Sequence, residues 1–135
     1  MNDPIEWDRS GTVALAGGTL LGIAYAIGVT WYANRMGYPI LDVGNPVVVF
    51  AFCVLIVAGM VPALALIRGH VVTPGLVLGI ATYTWITSEG DPGPGDPLAG
   101  FLYLMPFWIG LMAVLGVGER RVRTATLRVL TVDSK

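Results

Sequence analysis

The chain has 135 residues, 55% of them hydrophobic and 13% charged, with a formal net charge of −1. Ordinary soluble domains carry about 25% charged residues, and nucleic-acid binding needs a basic surface that this balance does not supply. The charges are also confined: 10–34, 43–67, 69–88 and 97–118 hold no Asp, Glu, Lys or Arg, and these runs of 25, 25, 20 and 22 residues make up 92 of the 135.

A helix rises about 1.5 Å per residue, so about 20 residues cross a hydrocarbon core of roughly 30 Å. The pattern therefore predicts an all-α fold: one integral membrane domain, a four-helix bundle with spans at about 10–34, 45–67, 70–88 and 97–118. A short N-terminal segment (1–9) precedes it and a basic tail (119–135) follows.

The N-terminal segment carries Asp3, Glu6 and Asp8 against Arg9. It lacks the basic n-region of a signal peptide, and the run behind it is longer than an h-region of about 7–15 residues. Retention as a membrane span is expected. Asp3-Pro4 with Glu6 reads as a helix start, with an N-cap, Pro at N1 and an acid at N3.

Span 1 places Ala14, Gly18, Gly22, Ala26 and Thr30 at every fourth position. Gly18-x-x-x-Gly22 is a GxxxG, and Gly75-x-x-x-Gly79 repeats it in span 3. Lipid tails are as apolar as Leu, so helices associate through close backbone approach across small residues. Ala14, Gly18, Gly22, Ala26, Gly75 and Gly79 are therefore the candidate helix-packing surface, within the bundle or between copies.

Span 2 is the greasiest, with Val47-Val48-Val49 and Leu55-Ile56-Val57, and is expected to face lipid more than its neighbours do. Cys53, the sole cysteine, excludes an internal disulfide and reads as a small packing residue. The hinge Arg68-Gly69-His70 carries the one histidine, which is too few ligands for a zinc or haem site. Span 3 opens on Thr73-Pro74, an N-cap and N1 signature. A helix from there to Ser88 falls short of the core. Either His70–Thr73 enters the membrane unwound or the helix starts earlier and bends at Pro74, and both place span 3 inside the bundle. The loop 88–97 holds Glu89, Asp91 and Asp96 among three prolines. That is few oxygens for calcium and reads as a stiff solvated turn.

Span 4 sets Phe101, Met105, Trp108 and Met112 along one face. Trp108 lies mid-membrane beside Pro106, which frees the carbonyl of Leu102. Met105, Trp108 and Met112 are the candidate lining of an apolar pocket, with ordinary packing as the simpler account. Trp108 is expected to turn inward, against span 1 or span 3, because hydrocarbon cannot satisfy its indole N–H. The tail Glu119–Arg128 brings Arg120, Arg121 and Arg123 to the headgroup level, where anionic lipid attracts basic residues.

Arg9, Arg68, Arg120, Arg121, Arg123, Arg128 and Lys135 fall on one side of a four-span layout and Arg35 alone on the other. Basic residues near span ends stay cytoplasmic, so both termini are expected inside a cell membrane. Trp31, Tyr32, Tyr83 and Trp85 read as headgroup markers of the outer face. Arg outnumbers Lys seven to one, which fits a high-GC prokaryotic genome.

No intramembrane acid marks a proton or ion pathway, and no Ser/His/Asp set, Cys/His pair or paired acids lie in the spans. No catalytic, metal or cofactor residue is assigned, and an enzyme is not expected. The leading expectation is a non-catalytic structural or accessory subunit that forms a homo-oligomer or joins a larger membrane complex. The alternative is a small channel or carrier for a neutral or hydrophobic solute, which would need hydroxyls such as those of Thr19, Tyr25, Thr82 and Thr84 to converge.

Overall fold

The computed structural model describes residues 9–37, 46–88 and 97–132, with side chains described for 11–37, 46–88 and 97–128. The expected helix start at Asp3-Pro4 and the acidic turn of Glu89, Asp91 and Asp96 lie outside these residues. Four helices occur in order, α1 (Arg9–Arg35), α2 (Pro46–Gly69), α3 (Thr73–Ser88) and α4 (Pro97–Val132), and the described residues contain no strand.

Three of them, α1, α2 and α4, are long and apolar enough to cross a membrane. The chain is a multi-pass membrane protein. With 16 residues, α3 is about 24 Å long, shorter than the hydrocarbon core. In contrast, α4 runs unbroken for 36 residues, about 54 Å. The expected span and the basic tail are thus one rod, and the tail leaves the apolar region as helix.

α2 packs against α1, α3 and α4, and α3 packs along α4. This corrects one expectation. As expected, α3 buries Val77, Leu78, Ala81 and Trp85 within the bundle, but the greasiest span is the central one. The reason is the solvent. In lipid, hydrophobicity does not direct a face inward; small residues and close fit do. The buried positions of α2 are Ala51, Leu55, Ala58, Gly59 and Ala63, four of them small. Cys53 is exposed on the outer side of α2, so its expected packing role is also corrected.

The small-residue stripe of α1 meets α2. Ala14, Gly18, Gly22 and Ala26 are all buried. A Cβ on Gly22 would run into the backbone carbonyl of Ile56. A Cβ on Gly59 would lie 2.9 Å from Cα of Gly22 and 2.8 Å from Cβ of Tyr25. Two backbones therefore touch at Gly22 and Gly59, and neither position has room for a side chain. Gly18 admits Leu64 in the same way, its Cβ position lying 2.9 Å from Cδ2 of that leucine. Further along, Gly11 lies under the Arg68 guanidinium, which fixes the antiparallel register of the pair. Gly75 and Gly79 behave differently. Both are exposed, and nothing lies within 4 Å of a Cβ built on either. Within the chain they are not part of the packing surface.

Gly22→Leu is expected to lower the thermal unfolding temperature in detergent sharply, since overpacking a close contact costs about 1–3 kcal/mol or more. Gly79→Leu, where the structure leaves open space, is expected to leave the monomer's unfolding unchanged. Equal melting of both variants would dismiss the α1–α2 contact.

Candidate functional site

Two regions gather polar or aromatic side chains from several helices. The first is where α2 turns into α3. His70 adopts φ 50°, the left-handed region. Its amide donates to the carbonyl of Leu66 at 3.0 Å, and the Val71 amide to that of Ala65 at 3.2 Å, which closes the end of α2. The chain then runs non-helically through Val71, buried at 4% exposure, into α3. This settles the local geometry of span 3: the helix starts at Thr73 and Pro74 sits in its first turn rather than bending a longer helix.

A helix start leaves backbone donors unpaired. Sequence signals point to Thr73 as the cap, but a residue from another helix does the capping. The Glu119 carboxylate of α4 accepts from the Thr73 hydroxyl at 2.5 Å, the Thr73 amide at 2.9 Å and the Val72 amide at 3.2 Å. Pro74 has no amide to satisfy, and the Gly75 amide donates to Val72 at 3.0 Å. Every early donor is thereby met. An anion at this end also complements the helix dipole. Arg123, one turn on, holds the same carboxylate at 2.6 Å.

These contacts hold the Glu119 carboxyl well down, to about 2 from an ordinary 4.5. The Thr73 hydroxyl contributes most, then the Thr73 amide. Partial burial opposes them, and the Val72 amide and the Arg123 charge add smaller effects. Arg123, assigned from the sequence to lipid headgroups together with Arg120 and Arg121, pairs with Glu119 while its side chain stays half exposed. Arg120 and Arg121 are exposed as well.

The second region lies at the opposite end of the bundle. Trp85 of α3 is 4% exposed. It stacks on Phe101 of α4 (centroids 4.9 Å apart, planes at 19°) and meets Tyr32 of α1 edge-on at 5.5 Å. Aromatic pairs of this geometry add about 0.5–1.5 kcal/mol beyond burial. Trp85 and Tyr32 therefore clasp three helices from inside, which corrects their reading as headgroup markers. Trp31 and Tyr83 do face outward, and Arg35 lies 5.5 Å over the Trp31 ring. The Trp85 indole N–H is buried without a hydrogen-bond partner.

Trp108 is half-buried on the α4 side of a shallow cleft against α3, with Ala81, Thr84 and Trp85 as neighbours. It faces α3 rather than α1. Met105 is wholly enclosed in the core, and Met112 lines a different cleft, near Pro74 and Gly116. The expected pocket of Met105, Trp108 and Met112 is therefore not one cavity. The three share a helix face, but their neighbours divide it: Met105 is packed solid and the clefts lie above and below it.

The hydroxyls also part company. Tyr25 and Thr82 share a hydrogen bond of 2.7 Å between α1 and α3, and Thr82 donates back to Leu78. Thr19 donates to the carbonyl of Leu15, with Met60 sulfur at 3.6 Å. Thr84 is exposed and bonds to Ile80. No group of three His, Cys, Asp or Glu residues stands close enough to hold a metal among the described residues.

Sequence reasoning missed Glu119, treating it as the first residue of a basic tail at the headgroup level. The available signal was its position directly after a 22-residue uncharged run, where an acid needs a partner, with Arg123 one turn away. No family model, curated protein or solved structure matches the chain.

A carboxyl whose pKa is depressed on folding stabilises fully above its unfolded value and ceases to as pH falls through the folded one. Amide protection at Val72 and Thr73 is therefore expected to hold above about pH 4.5 and to fall between there and about 2. Glu119→Ala should lose that protection already at neutral pH and show no further step. Hydrogen exchange, corrected for intrinsic rates, checks both. Separately, Trp85→Phe should be tolerated because it removes an unpaired donor. Trp85→Ala should cost about 3 kcal/mol through the void it leaves, as read from unfolding in detergent.

Proposed function

We propose that this protein is a non-catalytic structural or accessory subunit of a cell membrane, with α3 crossing alongside α4 and both termini cytoplasmic. The observation that carries this reading is the fate of the hydroxyls. Tyr25 and Thr82 consume each other, Thr19 and Thr84 turn back onto their own helices, and the bundle centre is filled by Leu55, Met105 and Met112. A carrier for a neutral solute needs a polar path, and these groups do not form one.

The crossing of α3 is supported by its alignment with α4. Thr73 bonds to Glu119 at one end, and Ser88 shares a cleft with Pro97 and Gly100 at the other. The cytoplasmic placement rests on the basic residues, and the outward glycines Gly75 and Gly79 offer a contact of the kind membrane helices use to associate.

Three measurements test the reading. A cysteine introduced at Gly93 in a Cys53→Ser background should react with a membrane-impermeant maleimide in intact cells. Reaction only after permeabilisation would reverse the topology. Mild-detergent purification should yield a stable homo-oligomer or a co-purifying membrane protein, and Gly79→Leu should weaken that association while leaving the fold intact. Proteoliposomes should be no more permeable to glycerol or urea than empty vesicles. A monomer that passes such solutes would replace this proposal with the carrier.

A further inference from the structure

The inner end of α4 carries two clefts that join. One, of about 250 Å³, is apolar and lies between α2 and α4, walled by Val61, Ala65, Met112 and Gly116 with Pro74 at its floor. The other, of about 570 Å³, is an open hollow bounded by α4 side chains alone, running past Arg120, Arg121 and Thr124. Val117 and Arg120 line both. Met112, Gly116 and Arg120 recur every four residues, so the two clefts are one furrow along one helix face. Its lower part is greasy and lies within the uncharged run; its upper part is cationic and begins where that run ends.

The geometry points to a binding site for one anionic phospholipid. An acyl chain would lie in the furrow between α2 and α4, with the phosphate against the Arg120 and Arg121 guanidiniums. The depth is consistent. The furrow changes from apolar to basic at residues 117–120, and Glu119 binds the α2–α3 hinge at the same level. Arginine also suits the partner, since its planar fork pairs two donors with one phosphate, and basic pockets between helices near a membrane surface favour anionic headgroups. Glu119 does not compete, because Thr73, Val72 and Arg123 occupy its oxygens. Gly116 lets α4 approach the start of α3 beneath the furrow: a Cβ there would lie 3.1 Å from Cγ of Pro74. This inference rests on α4 leaving the bilayer near Glu119, a part of the proposed topology, and not on the subunit role.

Native mass spectrometry of the full chain, reconstituted with phosphatidylglycerol or with phosphatidylcholine of the same acyl chains, tests it. One phosphatidylglycerol per chain is expected to survive detergent removal, and phosphatidylcholine is not. Arg120→Gln and Arg121→Gln should each weaken retention about fivefold. Ala113→Phe fills the furrow from an exposed position and changes no charge; it should abolish retention while leaving helicity and melting intact. Val61→Phe supplies the same block from α2 should the first variant fail to fold. Equal retention of both lipids, or full retention in the furrow-filled variants, overturns the site. Displacement by millimolar inorganic phosphate would place the recognition in the arginines alone and overturn the acyl-chain furrow. The maleimide experiment at Gly93 reports on topology independently, so the two ideas fail separately.

Discussion

The bundle depends on one contact, the meeting of α1 and α2 backbones at Gly22 and Gly59. In a bilayer there is little to gain by hiding a leucine from lipid, so helices are held by dispersion and fit. A contact with no side chain in it lets long stretches of both helices approach, and the neighbouring residues then pack at full density. Tyr25 leans over Gly59 and in doing so reaches Thr82 of α3. The first interhelical hydrogen bond thus follows from the glycine contact. A larger residue at either glycine would separate the helices and remove the tyrosine from its partner.

The polar ties are few and placed at the ends. At one end Glu119 gathers the start of α3; at the other Trp85 binds three helices through its faces and edge. Between them, apart from the Tyr25–Thr82 bond, the hydroxyls of Thr19, Thr30 and Thr84 return to carbonyls one turn back, which satisfies them without a partner helix. An ionised group can be kept only where several donors meet it, and the unwound hinge between α2 and α3 supplies them. The hinge and the acid therefore depend on each other: without Glu119 the amides of Val72 and Thr73 lose their acceptors, and without the hinge the carboxylate would have Arg123 alone.

The proposed subunit role draws on what this arrangement leaves over. The described interior is filled by Leu55, Met105 and Met112, and that reading looks to the surface. It presents unused glycines on α3, a shallow aromatic cleft beside Trp108, and an arginine-topped furrow on α4. These features suit association with other helices and with lipid.

The sequence by itself determined that the chain is helical and lives in a membrane, because uncharged runs of about 20 residues have no other stable setting. It also marked Gly18 and Gly22 as a contact, since a regular small-residue stripe has a physical use in lipid. What it could not decide was partnership. Gly22 and Gly79 look alike in the chain, yet one touches a backbone and the other faces open space. Trp31 and Trp85 both sit near span ends, yet one faces out and the other locks the core. Glu119 looks like part of a basic headgroup-level tail and caps α3 as well. Greasiness suggested a lipid-facing α2 and misled, because in hydrocarbon an apolar side chain is equally at home against lipid or protein. Only the tertiary structure, through backbone proximity and the meeting of donors with acceptors, separates these cases.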